Sequence, residues 1–172
     1  MTQRPTETEY APFYAGYVAL VPETDVLAVL EGQADEIRRL LAPVPTGKET
    51  YRYAEGKWSL RQVLGHLVDA ERVFGHRAFC FSRGEQGALP SFDENKYVDA
   101  GRSDGVPLSE LVTELALVRQ SNLIVLRRLD ARDWTRVGTA SGKPVSVRAL
   151  AWVMAGHPRH HLQVLRDRYG LS

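Results

Sequence analysis

The chain has 172 residues and a formal net charge of +1, with 44% hydrophobic and 25% charged residues. This composition is typical of a soluble globular protein, and the small net charge gives no electrostatic reason to expect nucleic acid or an acidic membrane as a partner. No apolar run approaches the roughly 18 residues of a membrane span, and the N-terminus lacks the apolar segment of a secretory signal. A single cysteine, Cys80, cannot form an internal disulfide, which favours a reducing, cytoplasmic setting.

The length of the chain predicts a single domain over residues 1–172. Residues 1–12 are polar and contain two prolines, so we expect them to be loosely ordered. Residues 84–107 form a long loop with scattered Gly, Pro and Asp, and loops of this length are usually functional or face a partner. Residues 135–147 have β-branched side chains around the sequence ASGK, which predicts either a small hairpin or an irregular turn.

Apolar residues at helical spacing predict four long helices. The first follows Thr24 or Asp25, either of which is a suitable N-cap residue, and it ends before Pro43. The second begins after the N-cap candidate Ser59 and ends near Gly84, a natural C-terminal stop.

The third predicted helix covers residues 108–130 and has Ser109 as its N-cap candidate. The fourth follows Ser146 and ends near Gly170. Four long amphipathic helices with few strand signals predict an all-α fold, a four-helix bundle with long crossover loops. Such crossovers permit a topology other than simple up-down-up-down.

Three of the five histidines lie close together in the fourth predicted helix, within the sequence AGHPRHH. His157 and His161 are four residues apart, so they lie on one face and can bind the same divalent ion. The apolar residues around them continue that face, whereas His160 lies nearer its edge and is interpreted as a neighbouring or surface residue. Clusters of this kind also occur as solvated patches near helix ends.

A metal site that leaves a coordination position open generally needs three protein ligands. His66 lies on the apolar side of the second helix and is a candidate for the third, although a single buried histidine is more often structural. His76 is about 280° further round that helix and is not expected to face the same point. Pro158 directly follows His157, so the last helix is expected either to continue with a kink or to restart at the proline.

Three segments together resemble the DinB-like superfamily, which is also called DinB/YfiT-like: WSLRQVLGHLVDAERVFGHRAF, FDENKYV and AGHPRHHLQVLRDRYG. The resemblance extends from Asp25 to Tyr169. It implies a four-helix bundle that binds a divalent metal ion through His66, His157 and His161. It also implies a homodimer, with zinc, nickel, iron or manganese as the metal.

A divalent ion held by three neutral imidazoles can activate water or a thiol, or polarise a substrate oxygen. We therefore expect either a hydrolase or a transferase or isomerase that uses a low-molecular-weight thiol as cosubstrate, acting on a small molecule. Asp69 and Glu71 are the candidates for proton transfer or for contacts beside the ligands. Arg119 is expected either to steady an anionic substrate or to form a surface or salt-bridged contact.

A non-catalytic protein is the alternative: a metal-stabilised helical dimer that binds a ligand or a protein partner. The two interpretations differ in what they predict beside the metal. An enzyme needs a concave, partly polar pocket over the open face of the ion, whereas in a structural site side chains fill that face.

Overall fold

A computed structural model describes residues 3–172, and four long helices dominate it. In chain order the helices and strands are α1 (Ala15–Ala19), α2 (Val26–Leu41), α3 (Leu60–Ser82), α4 (Glu94–Gly101), α5 (Leu108–Leu126), α6 (Ala131–Thr135), β1 (Val137–Ala140), β2 (Lys143–Ser146) and α7 (Val147–Tyr169). The predicted all-α bundle is confirmed, and within residues 3–172 the only strands are those of one short antiparallel hairpin. No helix in this part of the chain combines the length and the apolar character needed to cross a membrane.

The bundle contains two hydrophobic clusters, one towards each end. One cluster combines the N-terminal halves of α2 and α7 with the C-terminal halves of α3 and α5, and the other combines the opposite halves. Helices α3 and α5 are therefore parallel to each other, and α2 and α7 run in the opposite direction. Two parallel helices that follow each other in the chain need a long crossover connection, which explains the long segment between α3 and α5.

Helix starts agree with the predicted N-cap residues at three of the four long helices. The Asp25 carboxylate accepts hydrogen bonds from the first turn of α2, which decides between the two candidates for that position. Ser59 forms a capping box with Gln62 at the start of α3. The Ser146 hydroxyl accepts from the backbone N–H of Ala149 at the start of α7.

The expected N-cap of the third long helix was wrong. Helix α5 begins at Leu108 after Pro107, and Ser109 already lies within its first turn. The backbone N–H of Leu108 donates instead to the carboxylate of Glu49, at 3.2 Å. A side chain from a distant loop therefore satisfies this helix end, which local sequence patterns do not reveal.

The hairpin and the crossover pack against each other. Ser141 and Gly142 have positive φ angles of 53° and 71° and form the two-residue turn between β1 and β2. Leu89 from the crossover adds to the hairpin, since its N–H donates to the carbonyl of Thr139 at 2.8 Å and its own carbonyl accepts from the N–H of Ser141 at 3.1 Å. Together they form one wall beside the C-terminal half of α3.

Residues 3–12 of the N-terminal segment are tied to the bundle, in contrast to the loose order expected for residues 1–12, of which residues 1 and 2 lie outside the described part of the chain. Arg4 donates to the carbonyl oxygens of Val18 and Val21. The Glu9 carboxylate accepts hydrogen bonds from Arg148 and from Ser146. Burial alone would raise the pKa of Glu9, but these hydrogen bonds lower it to about 2. The carboxylate therefore remains charged and holds the segment in place near neutral pH.

Helix α7 passes through Pro158 without restarting. Because proline has no N–H, the carbonyl of Met154 loses its normal helical donor. The Nη2 atom of Arg119 donates to this carbonyl oxygen at 3.1 Å, and the Gln33 side-chain amide donates to the next one, that of Ala155, at 2.5 Å. Side chains from α5 and α2 thus replace the hydrogen bonding that the proline disturbs.

Arg119 is the centre of a buried polar network. Its Nε and Nη2 atoms donate to the two carboxylate oxygens of Glu71, each at 2.8 Å. Its Nη1 atom donates to the Gln33 side chain and to the Leu30 carbonyl, and Asn122 donates to the Glu71 carboxylate. Arg119 and Glu71 are each 3% exposed, so the structure supports the salt-bridged interpretation of Arg119 rather than contact with a substrate.

Replacing Arg119 should destabilise the fold strongly. Arg119→Met is expected to lower the free energy of unfolding by about 3–5 kcal/mol, because Glu71 would remain buried without a cation and the Met154 carbonyl would lose its donor. The matched control is Arg72→Met, which removes the exposed Arg72–Glu114 ion pair between the same two helices and should cost less than about 1 kcal/mol. Urea denaturation followed by circular dichroism measures both losses, and equal losses would contradict the role given to Arg119.

Candidate metal centre

Three histidine side chains meet between α3 and α7. The Nε2 atom of His157 lies 3.0 Å from Nε2 of His66 and 3.1 Å from Nε2 of His161. One ring nitrogen of each residue lies within 4.8 Å of those of the other two. These are the three residues that the spacing and the family resemblance suggested as metal ligands.

The surrounding structure explains why the three rings converge. His66 belongs to the buried face of α3, between Leu64 and Leu67. His157 and His161 remain one helical turn apart on one face because α7 continues through Pro158. Helices α3 and α7 pack directly against each other, which brings His66 to this pair from the other side.

Burial lowers the pKa values of all three histidines. It is the largest cause in each case, and the charges of neighbouring imidazoles add to it. The pKa of His66 falls to about 4 although Glu94 opposes the shift, that of His161 falls to about 3, and that of His157 lies well below its usual 6.5. The rings are therefore neutral near pH 7, which is the state that binds metal ions.

The donor set fits a divalent metal ion. Two ligand nitrogens at about 2.1 Å from one ion are separated by about 3.0 Å at a right angle and by about 3.4 Å at the tetrahedral angle, and the observed Nε2 separations of 3.0 and 3.1 Å are close to these values. A neutral ring nitrogen carries either one hydrogen or one lone pair, so hydrogen bonds alone cannot satisfy both contacts of His157 Nε2 together. A cation among three lone pairs satisfies all of them at once.

Aromatic rings restrict the orientation of the histidines. Ring centroids of Tyr17 and Phe74 lie 5.3 and 5.8 Å from that of His157, and both contacts are edge-on. Trp58 packs against His66 at 4.8 Å. Gly156 allows α1 to approach α7 this closely, because a Cβ at that position would overlap the carbonyl of Tyr17.

A cavity of about 490 Å³ opens beside the three histidines. This volume lies in the range of small-molecule binding pockets. Its wall combines aromatic rings from the N-terminal segment, α1, α3 and the crossover with polar side chains from α3, α4 and the hairpin, among them Tyr14, Phe74, Phe92, Arg77 and Glu94. The face of the histidine cluster is therefore accessible to a ligand.

Glu94, the first residue of α4, contributes the only carboxylate among the residues that line this cavity. Neither Asp69 nor Glu71, the two acidic residues suggested by the sequence, belongs to the lining. Glu71 is bound to Arg119, as described above, and Asp69 is a half-buried residue whose pKa is raised by burial. Position along one helix could not reveal Glu94, because a separate element brings it to the cavity.

The other two histidines lie outside the cluster, as the sequence suggested. His160 is exposed and lines the cavity beside the cluster without belonging to it. His76 is exposed, and its ring nitrogens lie 3.6 and 3.8 Å from the Cys80 sulfur, away from the cavity lining. Cys80 itself is partly buried and packs against the core.

Arg77 was missed by the sequence analysis, although it follows His66 by eleven residues. At 100° per residue this spacing places both side chains on nearly the same face of α3, about 20° apart. Arg77 is 2% exposed and lines the cavity. The signal available in the sequence was the spacing of eleven residues, which places this arginine on the same helix face as a candidate ligand.

Comparison with known proteins gives matches to a family and to solved structures. The family model described as the DinB superfamily matches residues 30–165. No curated protein matches the chain.

Two solved structures resemble this chain in fold. One, YfiT from Bacillus subtilis, is described as a probable metal-dependent hydrolase with an unusual four-helix bundle topology; it is 19% identical, with a TM-score of 0.77 over 98% of this chain and 94% of its own. The other is a mycothiol-dependent maleylpyruvate isomerase, 14% identical, with a TM-score of 0.64 over 79% of this chain and 57% of its own. This chain thus spans little more than half the length of the isomerase.

The buried histidines should make the metal-free protein sensitive to acid. Their folded pKa values lie below the unfolded value of about 6.5, so the unfolded chain binds more protons as the pH falls from 6.5 towards 4. The free energy of unfolding should therefore decrease over this range, with His66 alone contributing a loss of about 1 kcal/mol between pH 6.5 and 5.5.

Urea denaturation at several pH values, in the presence of a chelator, measures this dependence. His66→Gln should flatten it, whereas His76→Gln should leave it unchanged because His76 is exposed. The same pH dependence in wild type and His66→Gln would count against the burial effect.

Proposed function

Because the chain belongs to the DinB superfamily, we propose that it is a divalent-metal-dependent enzyme that acts on a small molecule. His66, His157 and His161 would hold the ion. The observation that carries the proposal is the convergence of three Nε2 atoms at the wall of an open cavity. Zinc, nickel and iron suit imidazole ligands, whereas manganese, the fourth candidate, prefers oxygen ligands.

The bound ion would supply Lewis-acid activation of a water or thiol, and polarisation of a substrate oxygen. The protein's own residues perform the remaining tasks. Tyr14, Phe74 and Phe92 provide an apolar surface for the substrate and reduce its contact with water. Glu94 is placed to accept or donate a proton in the cavity, because it is the carboxylate of the lining.

Hydrolysis is the reaction that we favour. The match to YfiT covers nearly the whole of both chains, and that protein is described as a probable metal-dependent hydrolase. A thiol-dependent transfer or isomerisation is the second candidate, and the match to the mycothiol-dependent isomerase supports it. The cavity beside the histidines favours both over a non-catalytic dimer, which would need no open face. A homodimer and a cytoplasmic location remain predictions.

Metal content tests the proposed site directly. The protein purified without chelator or affinity tag should contain about one divalent ion per chain by elemental analysis. Alanine substitution of His66, His157 or His161 should abolish this content, because two imidazoles bind far more weakly than three. Alanine substitution of His76 or His160 should preserve it. Equal metal content in wild type and His66→Ala would overturn the site.

Activity assays separate the two reactions. The metal-loaded protein should hydrolyse members of a panel of small esters and amides without added thiol, and Glu94→Gln should lower kcat by about 100-fold if Glu94 transfers a proton. Asp69→Asn is the control, since Asp69 lies outside the cavity lining. Turnover that requires added glutathione or another low-molecular-weight thiol would instead establish the thiol-dependent reaction.

A further inference from the structure

Arg77 is a buried cation without a buried anion. Two arginines in residues 3–172 are buried, and the other, Arg119, is neutralised by Glu71. Within the same residues, Arg77 forms no ion pair with a carboxylate. Burying an unpaired charge is strongly unfavourable, so this arrangement suggests that an anion from outside the chain completes it.

The groups that accept hydrogen bonds from Arg77 are neutral, and some of its donors are unused. The Nη2 atom donates to the Pro90 carbonyl at 2.7 Å and to the Ser141 hydroxyl at 3.0 Å, and the guanidinium carbon lies 6.0 Å from the centre of the Phe74 ring. A guanidinium has five N–H donors, and these two bonds account for both hydrogens of Nη2. The donors on Nε and Nη1 have no acceptor among the hydrogen bonds of the described residues.

The position of Arg77 relates it to the histidine cluster. His66 and Arg77 lie on nearly the same face of α3 and are about 16 Å apart along its axis. The Arg77 guanidinium carbon lies 6.0 Å from the centre of the Phe74 ring, and that ring lies 5.8 Å from the His157 ring, so Phe74 connects Arg77 to the histidine cluster. Ser141 and Lys143 from the hairpin line the same cavity, and Lys143 adds a second positive charge. Phe74 lies between His66 and Arg77 along α3 and also lines the cavity.

We propose that Arg77, with Ser141 and Lys143, binds the carboxylate of an organic acid whose reactive group lies at the histidines. This inference rests on the proposed function and specifies its substrate class: a molecule with an apolar middle and an anionic end. A carboxylate fits better than a phosphate. Glu94 lines the same cavity, and its negative charge opposes a dianion more than a monoanion.

Calorimetric titration with 4-phenylbutanoate, its neutral amide and 3-phenylpropyl phosphate tests the proposal on the metal-loaded protein. Wild type should bind the acid at least tenfold more tightly than the amide, because the acid forms charge-assisted hydrogen bonds. Arg77→Gln should remove this preference, and Arg72→Gln, an exposed position on the same helix, should retain it. Tighter binding of the phosphate, or an unchanged preference in folded Arg77→Gln, would overturn the proposal.

Two further measurements keep the test decisive if Arg77→Gln does not fold. Lys143→Ala changes an exposed residue and should weaken binding of the acid about threefold without affecting the amide. In wild type stripped of metal, the preference for the acid should persist, since the carboxylate binds Arg77 and not the ion. Loss of the preference on metal removal would overturn the proposal, as would equal binding of acid and amide in wild type.

Failure of this inference is distinguishable from failure of the proposed function. Metal analysis of the histidine variants decides the metal site without reference to any ligand. A protein without a bound ion that still prefers the acid through Arg77 would keep the anion site and refute the metal-dependent enzyme. A metal-containing protein without this preference would keep the metal site and refute the anion site at Arg77.

Discussion

The hydrogen bonds that Arg119 makes beside Pro158 support the part of α7 on which the rest of the site depends. His157 lies within the turn that the proline disturbs and His161 lies in the next turn, so they share one face only because the helix continues. That continuity requires donors for the carbonyls before the proline, which the side chains of Arg119 and Gln33 supply. Glu71 in turn makes the burial of the Arg119 cation possible.

Two sets of polar side chains lie between the two hydrophobic clusters of the bundle. The histidines and the Glu71–Arg119 pair fall where the cluster around Phe74 gives way to the cluster around Leu64 on α3. Burial in this layer lowers the pKa values of the histidines and keeps them neutral. The apolar clusters on either side supply the stability that offsets the cost of burying charge and ring nitrogens in the middle.

The helix topology explains how the cavity forms beside the layer of polar side chains. Since α3 and α5 are parallel, the chain must cross the bundle between them, and this crossover carries Phe92 and Glu94 to the cavity wall. Residues 84–107 were expected from the sequence to be a long loop that is functional or faces a partner, whereas in the structure helix α4 lies within this segment. Its sequence did not show which of its side chains would reach the histidines, because that depends on how the crossover packs against α3 and the hairpin.

Local sequence patterns were sufficient to predict the long helices, most of their starts and the pairing of His157 with His161. These features depend on residues a few positions apart, whose relative placement is set by helix geometry and by capping side chains. The packing of the helices was needed to show that Glu71 binds Arg119, that Glu49 binds the start of α5, and that Glu94 and Arg77 line one cavity. Those contacts join residues distant in the chain, and they follow from the order and direction in which the helices pack, which local patterns do not specify.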